Sequence, residues 1–294
     1  MNIISSTTLT YEQIQDIRSL EILCRKADNI SFGLFTEPEL NEASDMPCFF
    51  MLYDTEHTTL LAFLSMFVPG DGTAEISACT HPKYRRKGFF DTLCQKARKT
   101  AAEYGITSLT FAISPAQQTA FKVLARHGAV LENTEYLLQY KKTDECPKAG
   151  TASAGSCRLS PALPDEFEIH ADIFAKAFGY PDDSAKDLLK DILSSASDVK
   201  AFSFTDASGN IIGCCYADID ASHVMPFGIC IRFDMQGQKL GQHMISLLIN
   251  DYLLQYKRPI LLQVSSSNEN ALHIYKKIGF EAVSQVDYFR IDVV

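Results

Sequence analysis

The chain has 294 residues, a length that corresponds to about two domains of ordinary size. Hydrophobic residues make up 46% and charged residues 21%, the balance of a globular protein with enough apolar material for its cores. The net charge of −9 argues against a nucleic-acid partner, because such partners need basic surfaces. There is no charged-then-apolar leader and no apolar run near 18 residues. We therefore expect a cytoplasmic protein that does not bind membranes.

Cysteine and histidine usage supports the same setting. The nine cysteines form no CxxC pair, and four of them lie inside apolar strand-like runs: Cys79, Cys214, Cys215 and Cys230. Buried free thiols behave as small hydrophobes and persist in a reducing cytosol. The seven histidines show no spacing typical of metal ligands. We expect no metal site.

The predicted elements follow the same order in both halves of the chain. Each half begins with a short strand and a helical segment, continues with three strands and a long helix, and ends with strand, helix and strand. In the first half the three strands after the helical segment are FFMLYD, LLAFLSMF and AEISAC. In the second half they are KAFSFT, IIGCCYADI and PFGICI. A polar segment rich in small residues, 141–156, separates the halves and is a predicted linker.

A single offset of 151 residues relates the two halves. It places Ile113, Ser114, Ala120 and Gly128 of the segment after Ile106 on Val264, Ser265, Ala271 and Gly279 of the segment after Lys257. The same offset places Arg85 on Gln236. A constant shift that aligns strands, turns and helices indicates an internal duplication. The alternative is two unrelated α/β halves.

A basic turn stands between a strand and a helix in the first half. The stretch from Thr80 to Phe90 reads THPKYRRKGFF. The first N–H groups of a helix lack intrahelical partners and the helix dipole favours negative charge there. Such a turn therefore suits a phosphate or pyrophosphate. The plainer interpretation is a solvated basic turn between two elements.

Three stretches resemble sequence motifs of one protein family. The first half has Arg85-Arg86-Lys87-Gly88-Phe89-Phe90 and the second has Gln236-Gly237-Gln238-Lys239-Leu240-Gly241. Both resemble Gln/Arg-x-x-Gly-x-Gly/Ala, the acyl-CoA motif of the GCN5-related N-acetyltransferase (GNAT) superfamily. Phe90 replaces the final small residue, and Lys239 replaces the central glycine. The segment from Asn268 to Phe280 resembles the second family signature, Asn-x-x-Ala-x-x-x-Tyr-x-x-x-Gly-Phe. The first half lacks that signature, with Gln117 and Leu124 in place of the Asn and Tyr.

The resemblance implies a fold and a domain plan. We expect an α/β (α+β) protein with two acyl-CoA N-acyltransferase-like domains, each a mixed, mostly antiparallel sheet flanked by helices. The N-terminal domain is predicted over 1–140 and the C-terminal, catalytic domain over 157–294. In each, a splayed pair of central strands opens a cleft for the acyl arm.

The resemblance also implies a cosubstrate site for acetyl-CoA. In the second half the expected cosubstrate-binding residues are Ile229, Ile231, Gln236, Gly237, Gln238, Lys239, Leu240, Gly241, Asn268, Ala271 and Tyr275. In the first half they are Arg85, Arg86, Lys87, Gly88, Phe89 and Phe90. Backbone amides of both turns would face the pyrophosphate, while the large ring of Phe90 would crowd it.

The expected catalytic residues are Tyr275, Asn268 and His223. Tyr275 has the family position for protonating the leaving thiolate, and a phenol with a pKa near 10 can donate to a thiol with a pKa near 8.5. Asn268 lies almost two helical turns before Tyr275, so the two share a helix face with Ala271. The base is less defined. His223 is the nearest titratable candidate in the second half, Glu75 fits the family position in the first, and Tyr288 is a candidate for the acceptor cleft.

The resemblance implies transfer of an acetyl group from CoA to a primary amine of a small molecule or a peptide, and we expect a monomer or a homodimer. The second half is the expected catalytic half, because it has the tyrosine. One alternative is an acyl-CoA-binding or sensing module without catalysis. Another is aminoacyl transfer from a charged tRNA, which the net acidity disfavours.

Overall fold

The computed structural model of the protein describes residues 2–30, 32–70, 72–141, 156–195 and 198–293. The chain divides into two compact units, Met1–Thr134 with Gln285–Val294, and Glu135–Ser284. Each unit therefore includes a short segment from the far side of the predicted linker. Most of that linker, 142–155, lies outside the described residues.

The first unit has a sheet of mixed direction flanked by helices. Its elements are β1 (Asn2–Ser6), α1 (Tyr11–Asp28), β2 (Phe49–Tyr53), β3 (Leu60–Phe67), β4 (Thr73–Thr80), α2 (Phe89–Glu103), β5 (Ser108–Ile113), α3 (Gln118–Arg126) and the start of β6 (Val130–Tyr140). Strands β1 to β4 pair antiparallel in sequence order, and β4 pairs parallel with β5. The segment Asp287–Asp292 pairs antiparallel with the other edge of β5.

The second unit repeats this plan. Its elements after the end of β6 are β7 (Arg158–Pro161), α4 (Phe167–Phe178), α5 (Asp182–Ser195), β8 (Val199–Thr205), β9 (Ile211–Ile219), β10 (Val224–Ile231), α6 (Leu240–Leu247), β11 (Leu261–Ser265), α7 (Glu269–Ile278) and β12 (Phe280–Asp292), whose last residues belong to the first unit. Strands β7 to β10 form an antiparallel sheet. Residues 135–139 of β6 pair antiparallel with β11. The predicted fold class is confirmed.

The predicted duplication is also confirmed by the element bounds. β4 begins at Thr73 and β10 at Val224, which are 151 residues apart. α2 and α6 begin at Phe89 and Leu240, again 151 residues apart. The halves differ between their first and second strands, where α1 stands alone in the first half and α4 and α5 stand in the second.

Side-chain alternation along β9 separates two cores in the second unit. Cys215 and Ala217 pack into a core with α6 and α7, while Cys214 and Tyr216 pack into a smaller core with α4 and α5. This is the two-residue period of a strand covered on both faces. The first unit has one large core, to which the all-buried β2 sequence FFMLY contributes.

Two neighbouring strands separate in each unit. In the first, β4 pairs with β5 only from Thr73 to Ile76, although β4 continues to Thr80. In the second, the described parts of β10 and β11 are joined by one isolated bridge, between Val224 and Ile260 at their beginnings. Both pairs open toward their carboxyl ends. The splayed strands expected from the sequence are confirmed.

Candidate functional site

The turn between β10 and α6 leads from the carboxyl end of β10 into the start of helix α6. A 3-10 turn over Phe233–Met235 leads to Gln236, which is extended, and then to Gly237 with φ +78°. Lys239 is the N-cap of α6 with φ +61°. Only glycine adopts positive φ without cost, so the lysine carries a strain that the glycine does not. The N–H groups that begin α6 follow directly, and they are potential donors for an anion.

The first-half turn has the same backbone shape at the offset of 151. A 3-10 turn over Pro82–Tyr84 precedes an extended Arg85. Arg86 has φ +64°, matching Gly237, and the N-cap Gly88 has φ +77°, matching Lys239. Each turn thus places one glycine and one basic residue at its two left-handed positions, in opposite order. The departure of Lys239 from the motif leaves the shape of the turn intact.

The first motif residue of each turn closes the turn with its side chain. Arg85 Nε donates to the carbonyl oxygen of Thr80 at 3.2 Å, and Gln236 Nε2 donates to that of Ile231 at 3.1 Å. Thr80 and Ile231 are the last residues of β4 and β10. The guanidinium of Arg85 also binds Asp28 at 2.6 and 2.8 Å. Its charge is balanced within the first unit.

The final motif position distinguishes the two turns. The ring of Phe90 lies edge-on to Phe111 of β5 at 6.3 Å and to His127 at 5.7 Å between centroids. His127 in turn bonds Asp91 at 2.7 Å. Phe90 of α2 thus contacts both β5 and the residue that follows α3. At Gly241 an added Cβ would meet its nearest neighbour at 3.8 Å, an ordinary contact. The second turn is the more open one.

Tyr275 lies on α7 with 9% of its surface exposed, in the core formed with α6. Its ring is edge-on to Phe280 at 5.8 Å. Burial raises the pKa of Tyr275 to about 12, with a further contribution from Cys215. The hydroxyl therefore stays protonated at neutral pH and can act as a donor. Its counterpart Leu124 is 2% exposed and purely apolar.

Asn268 is the N-cap of α7. Its Oδ1 accepts from the backbone N–H of Ala271 at 3.1 Å, which satisfies one of the unpaired amides of the helix start. Asn268 is exposed and Ala271 is half-buried. In this structure the side chain of Asn268 therefore stabilises the helix that carries Tyr275.

The candidate base of the second unit, His223, lies at the opposite end of β10 from the turn. His223 precedes β10, where its Nδ1 lies 2.9 Å from Ser222 Oγ and 3.7 Å from Asp220. The eight residues of β10 separate it from the turn by roughly 25 Å at about 3.3 Å per residue. Glu75 is exposed on β4, and Tyr288 pairs with Ala112 in the first unit. The structure does not bring His223 together with Gln236.

The β10 strand contains a feature that the sequence analysis missed. Its register with β9 shifts between Phe227 and Cys230, and Gly228 in between has φ +55°. A Cβ at Gly228 would lie 2.7 Å from the ring of Tyr216. A glycine inside a strand pattern is the sequence signal for such a bulge.

Among the described residues there is no cluster of His, Cys, Asp or Glu that could hold a metal ion. Within the same ranges, every helix is too short or too polar to cross a membrane. The amides that begin α6, the open Gly241 and the cleft beside β10 fit an acyl-CoA: the amides suit its pyrophosphate, and the space between β10 and β11 suits a slender arm.

Comparisons with known proteins agree with this geometry. The model of the acetyltransferase (GNAT) family matches residues 14–129, and that of the acetyltransferase (GNAT) domain matches residues 200–282. No curated protein matches the chain.

Solved structures share the fold at low identity. A GCN5-related N-acetyltransferase from Sphaerobacter thermophilus aligns with a TM-score of 0.75 at 15% identity, over 99% of this chain and 96% of that one. A tandem GNAT protein from the clavulanic acid biosynthesis pathway aligns with a TM-score of 0.68 at 14% identity, over 100% and 98%. A GNAT-family acetyltransferase from Colwellia psychrerythraea gives 0.60 at 11%, over 99% and 100%. The chain belongs to the GNAT superfamily of N-acyltransferases and carries two GNAT domains in tandem.

Proposed function

We propose that the second unit is an acetyl-CoA-dependent N-acetyltransferase that acts on a primary amine. Two observations support this proposal: the turn from Gln236 to Gly241 is open at Gly241, and a buried, protonated Tyr275 lies in the same core as α6. The acceptor is a small-molecule or peptide amine, and the protein works in the cytoplasm as a monomer or a homodimer.

Each residue of the second unit has a defined task in this proposal. Acetyl-CoA supplies the acetyl group as a thioester. The amides of Gly237, Gln238, Lys239, Leu240 and Gly241 bind the pyrophosphate, with the ammonium of Lys239 adding charge. The amide of Gln236, expected to join them, instead donates to the carbonyl of Phe233 at 3.3 Å. Ile229 and Ile231 flank the acyl arm from β10. Tyr275 donates its proton toward the sulfur as negative charge develops there. Asn268 and Ala271 hold and shape the helix that carries it.

The first unit has a different role in this proposal. Arg85 is engaged by Asp28, Phe90 bridges α2 to β5, and Leu124 has no proton to give. These three features together support a scaffolding unit with a vestigial acyl-CoA turn. The first-unit candidate base Glu75 therefore lacks the tyrosine of the second unit, because Leu124 stands at the position equivalent to Tyr275.

An acyl-CoA-binding function without catalysis is the second candidate. It is favoured by the position of His223, which is bonded within its own turn at the far end of β10. Without a base at the site, acetyl transfer requires an amine that is already deprotonated when it binds. A binding module would bind acetyl-CoA and release no thiol with any amine.

The proposal is tested by incubating the protein with acetyl-CoA and a panel of amines, following free thiol. Acetyl-CoA without an amine and the Tyr275→Phe variant are the controls. Amine-dependent thiol release supports the transferase. Tight binding of acetyl-CoA by calorimetry with no release above the amine-free control supports the binding module.

A further inference from the structure

A buried chain of hydrogen bonds runs through the α4 side of the second unit. Glu166 Oε2 lies 2.6 Å from Ser203 Oγ, and Ser203 Oγ lies 2.8 Å from His170 Nε2. His170 Nδ1 lies 3.3 Å from the hydroxyl of Tyr216. Ser203 and Tyr216 have no exposed surface and His170 has 3%. Glu166 is half-buried.

The chemistry of these groups fixes the direction of the bonds. The carboxylate of Glu166 only accepts, so the hydroxyl of Ser203 donates to it. Ser203 Oγ then accepts from the Nε2–H of His170. In a neutral imidazole the other nitrogen is an acceptor, so the hydroxyl of Tyr216 donates to Nδ1. Burial lowers the pKa of His170 and thereby favours this neutral form. Every group in the chain is satisfied.

The chain ends at the β10 bulge. The ring of Tyr216 occupies the space that a side chain at residue 228 would need, since an added Cβ would lie 2.7 Å from Cδ2 of the ring. Phe227 stacks on the same ring at 5.5 Å. Gly228 meets both demands of the site, a left-handed backbone and the absence of a Cβ.

The first unit shows what replaces this arrangement where no bulge exists. The counterparts of Tyr216 and Gly228 are Ser65 and Ser77, whose hydroxyls are 2.8 Å apart. There β3 and β4 pair in unbroken register from Ala62 to Phe67. The two serines thus occur where the strands pair regularly, and Tyr216 opposite Gly228 occurs where β10 is bulged.

We propose that His170 is a positioning residue of the acyl-transfer cleft, which acts through Tyr216 to hold the Gly228 bulge of β10. This inference rests on the proposed function. β10 is the wall of the cleft opposite β11, and a bulge re-aims the backbone and side chains that follow it, here Ile229 and Ile231. The Tyr216 ring, held in place by His170, thereby maintains the backbone conformation of β10 at Gly228.

The test is a double-mutant cycle on acetyl-CoA binding, measured by calorimetry well below the melting temperature. Tyr216→Phe keeps the ring and removes its donor, while His170→Phe keeps a ring and removes the acceptor. Each change should weaken acetyl-CoA binding about fivefold, the factor for a typical hydrogen bond. The double variant should bind no more weakly than the weaker single variant, because both changes break the Tyr216–His170 bond through which His170 acts on binding. The Ser203 bond that His170→Phe also removes lies on the other side of the imidazole from Tyr216.

Two glycine variants separate the bulge from general strain. Both glycines have positive φ, +55° at Gly228 and +84° at Gly209 in the β8–β9 turn. Gly228→Ala places a methyl group against Tyr216, whereas a Cβ at Gly209 would have no neighbour within 4 Å. Gly228→Ala should weaken acetyl-CoA binding at least tenfold. Gly209→Ala should lower the melting temperature and leave binding unchanged.

The outcomes also distinguish this inference from the proposed function. A wild-type protein that binds no acetyl-CoA overturns both. If the wild type binds and Tyr216→Phe, His170→Phe and Gly228→Ala all bind within twofold of it, the network is structural only and His170 positions nothing. Strictly additive losses in the double variant would also overturn the role of Tyr216 as the link.

Discussion

Arg85 and Asp28 form a two-point ion pair in which the guanidinium nitrogens lie 2.6 and 2.8 Å from the carboxylate oxygens. The pair raises the pKa of Arg85, chiefly through these hydrogen bonds, and holds the guanidinium against the end of α1. The most family-like basic residue of the first turn is thus engaged within its own unit. The two turns should consequently differ in their affinity for CoA.

Matched proline variants measure that difference. Arg85 and Gln236 have φ −63° and −68°, so proline fits both backbones. Each substitution removes one amide and the side-chain bond to the preceding strand. Gln236→Pro also removes the bond from the Gln236 amide to the carbonyl of Phe233 at 3.3 Å. Gln236→Pro should weaken CoA binding about tenfold or more, because it removes both hydrogen bonds of Gln236 that hold the turn before the amides of α6. Arg85→Pro should leave CoA affinity within twofold. Calorimetry that shows a loss only for Arg85→Pro would reverse the choice of active half.

Lys239 should be replaceable by glycine with a gain in stability. Its φ of +61° costs a lysine about 1 kcal/mol that glycine does not incur, partly offset by the greater freedom of glycine in the unfolded chain. Lys239→Gly should raise the free energy of unfolding by about 0.5 kcal/mol in a urea titration. Gly237→Ala, at φ +78°, should lower it by about 1 kcal/mol. A destabilised Lys239→Gly would indicate that the lysine side chain makes a compensating contact.

The final motif residue should control access to the second turn. A Cβ at Gly241 meets only ordinary contacts, so Gly241→Ala should bind CoA within about threefold of the wild type. Gly241→Phe places a ring where the first half has Phe90 and should reduce CoA binding at least a hundredfold, provided that its melting temperature shows a folded protein. Undiminished CoA binding by a folded Gly241→Phe variant would show that the phosphates of CoA bind elsewhere.

The buried hydroxyl of Tyr275 should make stability sensitive to alkali. Its folded-state pKa of about 12 lies above the unfolded value near 10, so the folded state retains its proton where the unfolded state loses it. This contribution is complete below pH 10 and is lost as pH rises from 10 to 12. Between pH 10 and 12 the free energy of unfolding should therefore fall by about 2 kcal/mol less for Tyr275→Phe than for the wild type. Parallel curves for both proteins would show that the hydroxyl is not buried.

Much of the fold could be predicted from the sequence because its signals are local or repeated. The offset of 151 placed β4 on β10 and α2 on α6, and it identified both turns, since strand periodicity, glycine and the helix start lie within a few residues of each other.

The partners of the last strands could not be predicted. Both β6 and β12 read as strands, yet residues 135–140 join the second unit and 285–294 join the first. Alternation of apolar residues specifies which face of a strand is buried, and carries no information on which edge it pairs with. The choice is made by tertiary packing.

The network at Tyr216 was missed for a related reason. Glu166, His170, Ser203 and Tyr216 come from three different elements and the turn before α4, and none has a motif spacing. His223 attracted attention because it stands next to β10 in the sequence, whereas His170 reaches the strand through space. Gly228 was the one available signal.

The measurement that tests the central claim most directly is the turnover of Tyr275→Phe on an amine acceptor verified with the wild type. The ring still packs against Phe280, so the fold and the affinity for CoA should persist. The proton for the leaving thiolate is lost, and kcat should fall about a hundred- to ten-thousand-fold, the usual contribution of a general acid. Leu124→Ala, at the matching position of the first unit, should lower only stability. Full turnover by Tyr275→Phe, with CoA bound as in the wild type, would contradict the assignment of catalysis to this residue.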